Sequence, residues 1–210
     1  MYDLEEQEQI DALKAWWRQN GKLVIAALVA AALAAAAVTG WRTFQARKAM
    51  EAAQMYAGLE EAARGNDAKK LKEVSSVLMD RYGNTAFGPM AALIAAKSSF
   101  DQGDLKSAAA QLQWALDHAK DDETRAVAQL RLAAVRLDEK QYPEALQLLD
   151  GKHPEAFAGL YLDLRADVLI AQGKPAEARA AYKDALAKLP EQGTYRLVVQ
   201  AKLDALGGAN

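Results

Sequence analysis

Residues 23–41, LVIAALVAAALAAAAVTGW, carry no charged side chain, and no other feature restricts the fold as much. As a helix rising 1.5 Å per residue, this stretch is roughly 28 Å long, close to the thickness of a bilayer's hydrocarbon core. Lys22 and Arg42 close it on either side. Trp16, Trp17 and Trp41 stand near its ends, where interfacial aromatics belong. The pattern predicts one membrane-spanning helix between a short arm, residues 1–22, and a large domain, residues 42–210. Two other readings compete. A cleaved signal peptide could use Ala35-Ala36-Ala37 as its exit site, but it needs a basic leading region, and here Asp3, Glu5, Glu6, Glu8 and Asp11 outnumber Lys14, Arg18 and Lys22. A buried core helix is the other, and the run is longer than a soluble core ordinarily needs.

The arm accounts for the whole formal charge of −2, so the domain that follows is neutral and has no electrostatic footprint for nucleic acid. The sequence contains no cysteine, which excludes disulfides, Cys metal ligands and an acylated cysteine. Within the arm, Ile10, Leu13 and Trp17 follow i, i+3, i+7, an apolar stripe on an otherwise polar helix. Such a stripe fits a helix on the membrane surface or against a partner, and equally a polar tail with interfacial tryptophans. Asn20-Gly21 predicts a helix stop between arm and span. Within the span, Ala26, Ala30 and Ala34 recur at i, i+4, which lets a second membrane helix approach closely; a weakly hydrophobic anchor with no specific neighbour is the other reading. Lys14, Arg18 and Lys22 on one side balance Arg42, Arg47 and Lys48 on the other, so charge does not set the orientation.

After the span the chain reads as all-α. Regular alternation and Asn-Gly hairpin turns are absent, whereas helix punctuation recurs at Gly65-Asn66-Asp67, Tyr82-Gly83-Asn84, Gly103-Asp104, Gln141-Tyr142-Pro143, Lys152-His153-Pro154, Gly173-Lys174-Pro175 and Pro190. Three segments, residues 92–116, 129–150 and 161–190, share a plan. A small residue on a first helix (Ala96, Ala133, Ala166) is followed twelve positions later by another on a second helix (Ala108, Ala145, Ala178). The turns between them lie 37 residues apart from Gly103 to Lys140 and 33 from Lys140 to Gly173, with an earlier turn at Gly65. This spacing is the tetratricopeptide pattern, in which helix pairs bury their apolar faces only by stacking. The first pair, residues 50–82, is degenerate, with Lys70 near the expected small position. The last helix, from Tyr195, offers Leu197, Val198, Ala201 and Leu206 as the face of a capping helix.

The acidic opening Tyr2-Asp3-Leu4-Glu5-Glu6-Gln7-Glu8-Gln9, the Trp16-Trp17 pair and single span, and the segments Ala108-Ala109-Ala110-Gln111-Leu112-Gln113, Leu130-Arg131-Leu132-Ala133 and Asp163-Leu164-Arg165-Ala166 occur in this order. Over essentially its whole length the chain resembles the YfgM-type ancillary subunits of the SecYEG translocon, a bacterial inner-membrane family. The resemblance implies a single-pass protein with a cytoplasmic N-terminus and periplasmic repeats. It implies as partners the SecYEG translocon, a membrane-anchored periplasmic chaperone of the prolyl-isomerase class, and exported client proteins handed on to periplasmic chaperones.

The residues themselves indicate no catalysis, cofactor or metal. His118 ends a helix, His153 precedes Pro154 in a turn, and neither has a second ligand at i+4. No Gly-rich phosphate loop or G-x-S-x-G elbow occurs. In tetratricopeptide stacks the first helix of each pair lines the concave side. Aligning on the small residues places Met90, Leu93, Lys97 and Phe100 there from one repeat, Val127, Leu130, Ala134 and Leu137 from the next, and Leu160, Asp163, Asp167 and Ile170 from the last. The expected groove is apolar with acid at one end, suited to an extended apolar segment; the alternative is that terminal helices fill it. The Asn residues that help some such domains grip a C-terminal carboxylate are absent from these helices. The sequence therefore predicts a non-enzymatic, membrane-anchored interaction module. A cytoplasm-facing receptor that recruits a soluble chaperone or division factor is the alternative, and a released periplasmic binding protein is a third reading.

Overall fold

The computed structural model describes residues 2–207, with side chains from residue 7 onward. The side chains of Asp3, Leu4, Glu5 and Glu6, and residues 208–210 of the expected domain, lie outside what the structure describes. The chain divides into two compact units, Met1–Lys48 and Ala49–Asn210.

The first unit lies within α1, Tyr2–Arg64. Helix α1 contains the only stretch among the described residues that is long and apolar enough to cross a membrane, and none of that stretch is buried within the protein. The helix stop expected at Asn20-Gly21 does not form. Asn and Gly each weaken a helix interior by up to about 1 kcal/mol, but here both are used by the helix. The Asn20 side-chain amide donates to the Trp16 carbonyl at 3.1 Å. The Trp17 indole lies over Gly21, 3.2 Å from where a Cβ would stand. Near the other end, Thr39 Oγ1 donates to the Ala35 carbonyl at 2.8 Å and Thr43 Oγ1 to the Gly40 carbonyl at 2.9 Å. Both hydroxyls are thereby satisfied on their own helix, which is what a hydrocarbon environment would demand of them.

The second unit comprises residues 49–64 of α1, then α2 Ala68–Tyr82, α3 Phe87–Asp101, α4 Leu105–His118, α5 Asp122–Asp138, α6 Tyr142–Leu149, a 3-10 turn Glu155–Phe157, α7 Ala158–Ala171, α8 Pro175–Lys188 and α9 Thr194–Ala205. No strand occurs among the described residues. The all-α expectation and the helical-repeat architecture both hold.

Four turns share one geometry. Asn66, Gly103, Lys140 and Gly173 adopt φ of 55°, 78°, 62° and 76°. The next backbone N–H in each case returns to the carbonyl five residues back: Asp67 to Ala62, Asp104 to Ser99, Gln141 to Arg136 and Lys174 to Leu169, at 2.8–2.9 Å. This is the Schellman ending, which satisfies carbonyls left open at a helix C-terminus. The following helix starts at once. Asp67 and Asp104 accept hydrogen bonds from the N–H groups of Lys70 and Ser107, both at 3.0 Å, while Pro143 and Pro175 stand in the first turns of α6 and α8.

Each left-handed residue lies between two helix-crossing residues, one seven positions before it and one five after. Ala96 and Ala108, Ala133 and Ala145, and Ala166 and Ala178 are all fully buried, each pair within one apolar cluster. In the first pair the same positions are Leu59 and Leu71, both buried in one cluster. Lys70 is exposed. The left-handed residue is Asn66 rather than Gly65, and this shift of one residue moves Lys70 off the crossing and Leu71 onto it.

Helix α9 docks with a face other than the one its amphipathicity suggested. Val199 and Leu203 are buried against α7 and α8, with Leu206 beside them. Leu197, at 70% exposure, Val198 and Ala201 face outward. Tyr195 and Lys202 share the inward side, because they find acidic partners on α7.

The crossings make a stability prediction. Ala133→Leu inserts bulk where two helices touch and lowers stability by about 2 kcal/mol. Leu59→Ala leaves a void at the equivalent place and costs about 3 kcal/mol. Urea unfolding of the detergent-solubilised chain measures both; shifts below about 0.5 kcal/mol would show that these positions do not set the helix separation.

Candidate functional site

The first helices of the pairs, α3, α5 and α7, carry the residues expected to line a groove. Met90, Val127 and Leu160 are half-buried near the helix starts. Leu93 packs on the cluster around Ala96, Ala108 and Leu112. Leu130 and Leu137 pack on the cluster around Ala133, Ala145 and Tyr161. These three leucines are half-buried, each with one side packed into the stack. Ile170 remains exposed at the end of α7.

Lys97, Phe100 and Ala134 do come together. They border a hollow of about 330 Å³ between α3 and α5. Its floor is Ala96, Leu112 and Val135, all buried, and its rim adds Asp101 and Arg131. Phe100 is 40% exposed and supplies one wall. Lys97 Nζ and Asp101 Oδ2 pair at 2.6 Å along α3. One stripe per helix was not enough to find this hollow from the sequence. Helix α3 contributes the side carrying Lys97 and Phe100, whereas α5 contributes the side carrying Arg131 and Val135. Arg131 follows Leu130 directly, so its charge beside a stripe of apolar residues is the signal that was present.

The acidic end is closed. Asp163, 2% exposed, and Asp167 share Lys202 of α9, whose Nζ lies 2.9 and 3.0 Å from the Asp163 oxygens and 2.9 and 2.7 Å from those of Asp167. The hydroxyl of Tyr195 donates to Asp163 at 2.5 Å and that of Tyr182 to Asp167 at 2.6 Å. Burial alone would lower the Lys202 ammonium, but its hydrogen bonds to Asp167 and Asp163 outweigh this and hold it above the ordinary lysine range. Burial first, and the neighbouring carboxylates second, hold the Tyr182 and Tyr195 phenols well above the ordinary tyrosine value. Burial alone pushes Tyr161, whose hydroxyl donates to the Ala126 carbonyl at 2.9 Å, up to about 12. The two histidines serve local packing. The His118 ring stacks on Trp114 with centroids 4.0 Å apart, and that of His153 on Tyr161 at 3.9 Å.

Ala26, Ala30 and Ala34 follow one another along α1 and are exposed. Leu23, Leu28, Val29, Leu33 and Val38 are exposed on the same helix. The tryptophans near the two ends have aromatic neighbours: Trp16 and Trp17 at 6.5 Å, Trp41 and Phe44 at 6.2 Å.

The sequence model of the tetratricopeptide repeat-like domain family matches residues 14–208. A protein of Neisseria gonorrhoeae (strain ATCC 700825 / FA 1090) named "Ancillary SecYEG translocon subunit" is 34% identical over 204 residues, covering 97% of this chain and 98% of its own length. Proteins of the same name are 31% identical in Escherichia coli (strain K12), with 85% of each chain covered, and 29% identical in Haemophilus influenzae (strain ATCC 51907 / DSM 11121 / KW20 / Rd), with 88% of this chain and 90% of that protein covered.

The sign of the pH dependence follows from the shifts. Groups held protonated more tightly in the folded state contribute stability that is complete below their unfolded values and is lost as pH rises through the folded ones. Stability is therefore expected to stay level from pH 7 to about 9.5 and to fall above about 10, where unfolded tyrosine and lysine release protons. Lys202→Met leaves the buried Asp163 carboxylate without its cation and costs about 2 kcal/mol at pH 7. Urea unfolding at a series of pH values checks both. A flat profile to pH 11, or an unchanged Lys202→Met midpoint, would show that the cluster does not hold α9.

Proposed function

The chain belongs to the tetratricopeptide repeat-like family of ancillary SecYEG translocon subunits, and from that membership we propose that it serves beside the secretion channel as a membrane-anchored, non-enzymatic protein-interaction module. In this reading α1 crosses the inner membrane once, with the N-terminus in the cytoplasm and the repeats in the periplasm. The repeats bind segments of exported proteins and help pass them to periplasmic chaperones, one of them a membrane-anchored member of the prolyl-isomerase class.

The observation that carries the reading is coverage. The match to the Neisseria protein takes in 97% of this chain, so the apolar helix and the repeats are shared as one unit with a protein named for the translocon. Two structural features support it. Among the described residues, none of the apolar stretch of α1 is buried, as a helix facing lipid or another membrane protein requires. The hollow at Phe100 is apolar and open to an extended chain, and recognition through buried area tolerates varied clients.

Site-specific photo-crosslinking tests the proposal. A crosslinker at Ala30 is expected to capture a translocon subunit, and one at Ala134 a secretory chain in transit. Ala134→Trp, which fills the hollow, is expected to reduce capture from Phe100 at least about five-fold, as removal of roughly 1 kcal/mol of apolar burial predicts. Absence of translocon adducts from Ala26, Ala30 and Ala34 alike would argue against lateral docking. Client capture unchanged by Ala134→Trp would argue against the hollow.

A further inference from the structure

The hollow between α3 and α5 has a charge bias that its apolar floor does not explain. Its three floor residues, Ala96, Leu112 and Val135, belong to one buried cluster, so the depression is built into the packed stack. Phe100 and Ala134 form its walls. At about 330 Å³ it is at the small end of binding pockets, with room for one large apolar side chain rather than a folded element. Three charged side chains stand on its rim. Lys97 and Asp101 neutralise each other. Arg131 is exposed and makes no hydrogen bond or ion pair with any described residue. The rim therefore carries one uncompensated positive charge beside an apolar slot.

We propose that this hollow takes one large apolar side chain, aromatic or leucine, from an extended polypeptide, and that Arg131 selects segments in which that side chain is flanked by Asp or Glu. The proposal rests on the groove reading above and adds to it the chemistry of the preferred segment. The two parts of the slot divide the work. The apolar floor supplies affinity through buried area, which is indifferent to sequence. The guanidinium supplies discrimination, because rim charges act on partner choice and encounter more than on total affinity. An acidic neighbour gains a charge-assisted hydrogen bond, and a basic neighbour is repelled. Because the site is open to water, the expected preference is about five-fold, in the range measured for exposed ion pairs.

The full chain in lipid nanodiscs, titrated with dye-labelled peptides by fluorescence anisotropy, tests this. The probes are short extended peptides, acetylated and amidated so that no terminal charge contributes, each with one Phe flanked by Glu, by Gln or by Lys. The Glu-flanked peptide is expected to bind about five-fold tighter than the Lys-flanked one, with Gln between, and added salt should shrink the difference. Arg131→Glu is expected to reverse the order. Ala134→Trp should abolish binding of all three, and Phe100→Ala, which removes a wall without adding bulk, serves as the second variant. Equal affinities, or an order that Arg131→Glu leaves unchanged, would overturn the acid preference. If binding remains sensitive to Ala134→Trp in that case, the groove reading survives without it. If none of the peptides binds, the groove reading falls as well.

Discussion

Two helices touch at a pair of buried side chains, and a left-handed residue between them fixes which two. That relation recurs four times, and the rest of the second unit depends on it. The left-handed residue ends one helix and starts the next within a single turn, so the second helix must run back along the first. Crossing residues twelve positions apart then face each other. Where both are alanine, at Ala96 with Ala108, Ala133 with Ala145 and Ala166 with Ala178, the backbones approach closely and apolar residues on either side interlock. Lys140, a non-glycine in this conformation at φ 62°, bears roughly 1–2 kcal/mol of backbone strain. Burial of Ala133 and Ala145 and the bond from Gln141 N–H to the Arg136 carbonyl offset it.

Stacking pairs in this way leaves the two ends and the inner side of the array to be settled separately. At the C-terminal end α9 covers α7 and α8, and Lys202 is shared by the two carboxylates that α7 turns toward it. Removing Lys202 leaves the buried Asp163 carboxylate without its cation, so this ion pair ties α9 to α7. Between α3 and α5 no described side chain fills the space, and the hollow at Phe100 and Ala134 remains. Closed acid at one place and open apolar surface at another follow from the same geometry with different residues on it.

Much of this was legible in the sequence because local rules and packing agreed. The uncharged run at residues 23–41 and the alanine pairs twelve apart each have a direct physical meaning, and both predicted their elements. The failures occur where two features competed. Asn20-Gly21 reads as a stop, yet Asn20 bonds to Trp16 and Gly21 makes room for Trp17, so the helix continues. Gly65 reads as the turn residue, yet Asn66 takes the left-handed conformation and the crossing becomes Leu59 with Leu71. On α9, counting apolar residues favours Leu197, Val198 and Ala201, but the buried carboxylates of α7 draw Lys202 and Tyr195 inward and turn those three outward. Val199 and Leu203 mark the docking face within α9, but the partners of Lys202 and Tyr195, Asp163 and Asp167, lie on α7. For the same reason the groove stripe was partly legible: Phe100 and Lys97 border the hollow, while Leu93, Leu130 and Leu137, half-buried, pack one side into the stack.

The functional account depends on which side of the membrane holds the repeats, because a hollow that receives exported chains must lie where they emerge. The chain contains no cysteine, so single cysteines report position cleanly. One variant carries cysteine at Gln7 and another at Ala187, both exposed. Cells with a permeabilised outer membrane are treated with a maleimide that does not cross the inner membrane. The account predicts labelling at position 187 in intact spheroplasts and labelling at position 7 only after the inner membrane is broken. Labelling at 7 with protection at 187 would place the repeats in the cytoplasm and contradict a role in receiving exported proteins.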